Sequence, residues 1–342
     1  MRHAVVTCVF VLVAGLLLGG DLRAGSLEPP GAPGPTMKTI AEVEPRFPIS
    51  SLPVTIGAQG SYYLTGNLTG VAAQSGITIT ASFVTLDLNG YELIGVGGSL
   101  EGIRASVAGT RHLVIRNGVI RNWASSGVSA SSASDTHVED LRVDANTGNG
   151  LTLGVRSIVR NTSSTGNGGS GIITADASTI TASTAANNGG TGISMGAWST
   201  ATECTALQNA TGIGLAVGSR VVHSVARLNG LGITGSDAAS IEECTVDGNT
   251  DDGIRISNRG VVRGNIARGN TNDGIEATGN SNRIEGNEST SNGVGIRAGG
   301  ISNLIIRNST SNGTEYVIGG GNLFGPLSTD PATAGPWANF DL

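Results

Sequence analysis

From residue 102 onward, a glycine followed by an aliphatic residue returns at a nearly fixed interval. The steps are Gly102-Ile103, Gly127-Val128, Gly150-Leu151, Gly171-Ile172, Gly192-Ile193, Gly212-Ile213, Gly232-Ile233, Gly253-Ile254, Gly274-Ile275 and Gly295-Ile296. The first two intervals are 25 and 23 residues, and the others are 20 or 21. After each glycine the pattern alternates. Ile254, Ile275 and Ile296 are followed by Arg255, Glu276 and Arg297, and these by Ile256, Ala277 and Ala298. A period of two describes a strand with one face inward and one outward. A second aliphatic set, Ile241, Val262, Ile284 and Ile305, keeps its own phase. It predicts a second strand in each unit, with a third, weaker strand between the two. No stretch carries the 3.6-residue apolar period of a helix.

Self-similarity at about 21 residues is the signature of a solenoid. Leucine-rich units would need more leucines, helical repeats longer units and helix formers, and hexapeptide coils a strict period of six. The pattern predicts an all-β chain, a right-handed parallel β-helix of roughly 10–12 coils with N- and C-terminal caps. Successive coils then stack about 4.8 Å apart, and equivalent positions become vertical neighbours. Asn146, Asn167, Asn188, Asn209, Asn229, Asn249, Asn270 and Asn292 form one such column, just before the glycines. Asparagine tolerates left-handed backbone, and stacked amides can bond from coil to coil. A second column reads Thr162, Ser183, Cys204, Ser224, Cys244, Asn265 and Asn287. Cys204 and Cys244 stand two coils apart in it, about 9–10 Å by the strand spacing. A disulfide needs Cα atoms within about 7 Å, so both are expected to be free, buried thiols.

These Gly-aliphatic steps and Asn turns, from about 100 to 312, resemble the right-handed parallel β-helix superfamily, the pectin-lyase-like fold. The stretch "GITITASFVTLDLNGYELIG" (76–95) is similar to the opening coil of that family. The resemblance implies the fold. Its members include polysaccharide lyases, polygalacturonases, epimerases, phage tailspikes, non-catalytic surface proteins and a periplasmic branch that assists copper delivery, so activity must be argued from particular residues.

Composition refines the picture. The 342 residues include 54 glycines, with 4% aromatic and 13% charged residues, and one lysine, Lys38. "AVVTCVFVLVAGLLL" (4–18) follows Arg2 and His3. Such a run suits a signal peptide and is short for a membrane span. The expected organisation is a signal peptide over 1–24, a Pro-rich linker over 25–35, an N-terminal cap over 36–75, the β-helix over 76–318 and a C-terminal cap over 319–342. Loss of Arg2, Arg23 and Asp21 moves the net charge from −6 to −7. An acidic protein is a poor match to nucleic acid. The expectation is a secreted, periplasmic or cell-surface protein, without a membrane span once the signal is removed.

The candidate chemistry centres on "GNTDDGIRI" (248–256). Asp252 and Asp273 occupy the position just before the glycine in consecutive units, where turn chemistry accounts for an aspartate. The alternative is a weak Ca²⁺ site built by Asp251, Asp252 and Asp273, since a cation relieves repulsion among carboxylates. A polygalacturonase-like site needs Asn-Thr-Asp, Asp-Asp, Gly-His-Gly and Arg-x-Lys elements on neighbouring coils. Here "NTD" (249–251) and the Asp pair overlap in one turn, and Gly-His-Gly is missing. The Asp-Pro-His-Asp run of epimerase chemistry is also missing. A lyase would need Arg255 as base, but Arg255, Glu276 and Arg297 share one outward phase, as do Glu242, Arg263 and Glu285. Alternating charges of this kind read as structural ladders worth roughly 0.2–1 kcal/mol per pair. His112, His137 and His223 lack metal-ligand spacing, and Trp123 and Trp198 are candidates for stacking on sugar rings. The sequence favours a non-enzymatic protein that binds carbohydrate or another surface polymer, without a cofactor other than possible Ca²⁺. The alternative is a polysaccharide lyase or glycoside hydrolase acting on acidic polysaccharide through Asp251, Asp252, Asp273 and Arg255.

Overall fold

The computed structural model describes residues 45–342. The expected signal peptide, the Pro-rich linker, Cys8, Lys38 and the first part of the N-terminal cap (36–44) lie outside the described residues.

Each repeat unit folds into one coil of three short strands. In the coil opening at Gly253 these are Ile254–Ile256, Val261–Arg263 and Ile266–Arg268. Every strand pairs in parallel with its counterpart in the next coil, as in Ile254↔Ile275, Val262↔Ile284 and Ala267↔Ser289. Ile254 and Ile275 are thus stacked neighbours, as the periodicity requires. The first strands form a 13-stranded sheet from Val54–Ile56 to Tyr316–Ile318. The second and third strands join in a 26-stranded sheet. They merge because Leu113–Arg121 and His137–Asp144 run unbroken through the corner between them, pairing from Val114↔His137 to Arg121↔Asp144. No helix occurs among the described residues, and the whole is a right-handed β-solenoid of about thirteen coils.

The coil count exceeds the ten to twelve read from the glycine steps because stacking reaches into the 36–75 stretch. Phe47–Ile49 pairs with Gly60–Leu64, and Val54–Ile56 with Ile77–Ile79, before the regular Gly-aliphatic step begins. At the other end Leu323–Phe324 and Asn339–Asp341 add parallel pairs, Ile305↔Phe324 and Ser309↔Phe340.

Three inward columns fill the interior. Ile233, Ile254, Ile275 and Ile296 form the first, and Ile241, Val262, Ile284 and Ile305 the second, all fully buried. The third reads Ala206, Ala226, Val246, Ala267, Ser289 and Thr310, also buried. Its mostly small side chains explain why the third strand is faint in the hydrophobic pattern.

Sharp corners separate the strands, and each is made by one residue in the left-handed region. In the same coil these are Arg259 (φ 55°), Gly264 (φ 65°) and Gly269 (φ 64°). Beside each corner a buried polar column ties the coils together. Asn229 Nδ2 donates to Asn249 Oδ1 at 3.2 Å, and Asn249 Nδ2 to Asn270 Oδ1 at 2.8 Å. The backbone N–H of each asparagine donates to the same oxygen. The second column behaves alike: Cys204 N–H donates to Ser224 Oγ, Cys244 N–H to Asn265 Oδ1, and Asn265 Nδ2 to Asn287 Oδ1. A third column, unforeseen in sequence, runs from Asn282 through Asn303 to Asn322. Buried amides satisfied this way incur no desolvation penalty and lock the register.

Candidate functional site

The first-strand sheet carries the acidic cluster, and the Gly step sets its geometry. A Cβ on Gly253 would meet Gly274 O at 2.7 Å, so only glycine allows the coils to approach here. The residue before the glycine, Asp252 or Asp273, is tucked into the corner and buried, while Arg255, Glu276 and Arg297, two residues after, stand outward in register.

The carboxylates and guanidiniums interlock. Arg255 Nε donates to Asp252 Oδ2 and Glu276 Oε2, both at 2.8 Å, and Arg255 Nη2 to Asp251 Oδ2 at 3.1 Å. Arg297 grips Asp273 with two bonds, Nε to Oδ2 at 2.6 Å and Nη2 to Oδ1 at 3.0 Å. Asp252 Oδ1 accepts the Asp273 N–H at 3.1 Å, which is the vertical stacking of these two positions. Burial pushes the Asp252 carboxyl above the usual carboxylate range, and the adjacent Glu276 adds to the push, against the Asp273 amide and Arg255. Asp252, Arg255, Asp273, Glu276 and Arg297, with Thr271, Asn272 and Val294, line an open groove of about 320 Å³.

The structure redraws the candidate cation site. Asp252, Asp273 and Glu276 each bring an oxygen within 4.8 Å of the others. Asp251 stands apart, half-exposed, its Oδ1 held by Asn272 Nδ2 at 2.6 Å and its Oδ2 by Arg255. An all-oxygen set suits a hard cation such as Ca²⁺. Each of the three is already bonded to an arginine, however, so a cation would have to displace a guanidinium. Arg255 bonds Glu276 as the charge-ladder reading requires, whereas Arg297 turns to Asp273 instead of completing the ladder with Glu276.

The other ladder, Glu242, Arg263 and Glu285, is also in register. Arg263 bonds Glu242, Arg220 Nε reaches Glu242 Oε1 at 3.1 Å, and Arg307 Nη1 reaches Glu285 Oε1 at 3.0 Å. Although burial opposes it, bonds from Ser240, Arg263 and Arg220 hold Glu242 down to about 2. The third strands add an Arg227–Asp247–Arg268 ladder, with ion pairs of 2.9 and 3.2 Å.

Cys204 and Cys244 are free and buried, and burial raises both thiols to about 11. The two tryptophans have opposite fates. Trp123 is fully buried, its Nε1 donating to Leu93 O at 3.2 Å, whereas Trp198 is 68% exposed. His223 pairs with Glu243 on the surface. His112 and His137, which lack metal-ligand spacing in the sequence, line one cavity of about 360 Å³ with Asp135 and Arg156. The sequence hid this because His112 is a corner residue (φ 55°), while His137 begins the second strand one coil later.

Comparison with known proteins places these features. A family model for the right-handed β-helix region matches residues 71–227 and 229–322. No curated protein matches the sequence. Among solved structures, the A-module of the Azotobacter vinelandii mannuronan C-5 epimerase AlgE4 is similar, with a TM-score of 0.62 and 17% identity, over 82% of this chain and 90% of that one. The A-module of AlgE6, also from Azotobacter vinelandii, gives 0.60 at 17% identity over 82% and 89%. The Dettilon tailspike protein gives 0.53 at 13% identity over 86% and 61%. At these identities the likeness is one of fold.

Proposed function

The chain belongs to the right-handed β-helix family, and on that premise we propose that it is an exported, non-catalytic binding protein for carbohydrate or another surface polymer. The observation that carries this reading is the groove of Asp252, Arg255, Asp273, Glu276 and Arg297. Its hydrogen-bonding groups line an open surface on stacked coils, as a long polymer requires, while its arginines are tied to carboxylates. A guanidinium held by carboxylates, three for Arg255 and one for Arg297, is a poor proton abstractor. Its outer N–H groups and the free carboxylate lone pairs still offer donors and acceptors to sugar hydroxyls. The named action of two similar structures on mannuronan supports a polysaccharide as the partner. The N-terminal apolar run supports export.

One observation favours a second reading, an enzyme acting on acidic polysaccharide. Asp252 is buried in the groove, and burial raises its pKa, the direction a general acid needs. One experiment separates the two. The full chain is run through gels containing alginate, pectate or a neutral glucan, and is also incubated with each polymer and Ca²⁺. Retardation by a polymer, lost in Arg255→Ala and Arg297→Ala, with no new reducing ends and no absorbance from unsaturated uronates, is the expected result. Product formation that disappears in Asp252→Asn would establish the second reading instead.

A further inference from the structure

The corner preceding the second strands presents one left-handed residue per coil to solvent. In chain order these are Phe83, His112, Asp135, Arg156, Ala177 and Trp198, with φ between 54° and 59°. They are vertical neighbours, because the N–H of each corner residue bonds the carbonyl of the residue just before the next: Phe83 to Arg111, His112 to Ser134, Asp135 to Val155, Arg156 to Asp176, Ala177 to Ala197. Five steps of about 4.8 Å place Phe83 and Trp198 about 24 Å apart.

Both ends of this line are aromatic and exposed. Phe83 is 51% exposed and stacks on His112, with ring centroids 4.9 Å apart. Trp198 is 68% exposed. Its ring lies on the backbone of Gly218, where an added Cβ would meet the ring at 2.3 Å. Gly218 itself has φ 67°, so the next corner residue in the column is one that leaves room for an indole lying flat. One face of the ring is packed and the other is open. A large aromatic held in a disfavoured backbone region, with one apolar face in water, contributes little to folding beyond its contact with Gly218.

Between the ends lies the 360 Å³ cavity of His112, Asp135, His137 and Arg156. Asp135 and Arg156 are paired, Nε to Oδ1 at 2.7 Å and Nη2 to Oδ2 at 2.9 Å. His137 Nε2 is a buried polar atom with no hydrogen-bond partner. Such atoms are rare because leaving one unpaired costs about 1–3 kcal/mol.

We propose that this corner is a glycan track, distinct from the acidic groove, that takes an extended polysaccharide segment lying parallel to the coil axis. The proposal rests on the reading that the protein binds carbohydrate, and it moves the grip to another face. Trp198 and Phe83 stack on the C–H faces of sugar rings at the two ends. A small side-chain movement that uncovers His137 Nε2 lets it bond a sugar hydroxyl between them, and the Asp135–Arg156 pair supplies an acceptor and donors for neighbouring hydroxyls. The coil spacing of about 4.8 Å is close to the rise of one extended sugar unit, so the track accommodates about one unit per coil.

The test uses the full chain and two oligosaccharide series of two to six units, one from cellulose and one from alginate. Binding is read by tryptophan fluorescence and by calorimetry. Trp123 is buried, but Trp337 is 52% exposed beside Arg307, so the fluorescence change is assigned to Trp198 by its loss in Trp198→Ala and its persistence in Trp337→Phe. The expected result is that at least one series binds, with affinity rising at least tenfold from the disaccharide to the hexasaccharide, the first length that spans all six corners. Trp198→Ala and Phe83→Ala should each weaken the hexasaccharide at least tenfold at unchanged Tm. Ala177→Arg, which sets bulk in mid-track without removing a contact, should do the same. Length-independent binding, or full affinity in Trp198→Ala and Ala177→Arg, would overturn the track. If Arg255→Ala abolishes binding and Trp198→Ala does not, the track fails and the groove stands. The reverse pattern supports the track and removes the groove. No binding of either series by the native chain overturns both.

Discussion

At the scale of single residues, two features hold each corner: a left-handed backbone and a buried amide. Asn249 accepts from the Asn229 amide and backbone N–H and donates to Asn270 Oδ1 and Ala226 O. Removing its side chain strands several buried groups at once, each worth about 1–3 kcal/mol. Asn249→Ala is expected to lose about 3 kcal/mol or more in urea unfolding, whereas an exposed neighbour such as Thr250→Ala should be nearly silent. The backbone half gives the opposite sign. Ala238 is exposed and sits at φ 56°, where a Cβ is disfavoured by roughly 1–2 kcal/mol. Ala238→Gly is expected to gain up to about 1 kcal/mol, the remainder being offset by the greater freedom of glycine in the unfolded chain. A loss of stability would contradict the left-handed assignment.

At the scale of the strand and its ladder, the outward charges make a pH-dependent contribution. Glu242 moves from 4.5 to about 2 in the fold. Its ionised form is therefore the stabilised one. The stabilisation is complete above about pH 4.5, fades as the pH falls, and is gone below about 2. Thermal unfolding of the full chain should show a Tm that drops across this window, and Glu242→Gln should flatten part of the drop. The same ladders show what the sequence made legible. Period-two alternation after each glycine gave the first strand, and fixed phase made Arg255, Glu276 and Arg297 vertical neighbours. The same logic paired Asp252 with Asp273 and kept the two cysteines apart. Less visible was anything that depends on side-chain direction near a corner. Asp251 is adjacent to Asp252 in sequence but points to Asn272 and Arg255, while Glu276, one coil on, completes the carboxylate cluster. The left-handed corners were partly hidden as well. Many are occupied by residues such as Ala238, Glu243, Leu228 and Arg259, which carry no turn signature, and the fold imposes the conformation on them.

For the molecule as a whole, the problem is its open ends. Interior coils are paired on both sides, but the last coil must be closed by something else. Residues 323–342 do this in part. Leu323–Phe324 and Asn339–Asp341 pair with the last regular strands, and Asn339 Oδ1 receives the Asn308 amide at 3.1 Å. Deleting 323–342 would uncover the Leu304–Ile306 and Ser309–Ser311 edges and remove the acceptor of the Asn308 backbone N–H. Light scattering of that truncation should show soluble aggregates, and a monomer as heat-stable as the parent would refute the capping role. The described residues include no helix long and apolar enough to cross a membrane.

The asparagine columns also give the solenoid an electrical direction. From Asn146 to Asn312 every side-chain amide donates toward the following coil, so their dipoles add instead of cancelling, as peptide dipoles do along a helix. The final amide hydrogens form a positive pole, and a carboxylate sits there: Glu315 accepts the Asn312 N–H at 2.9 Å and its side-chain amide at 3.3 Å.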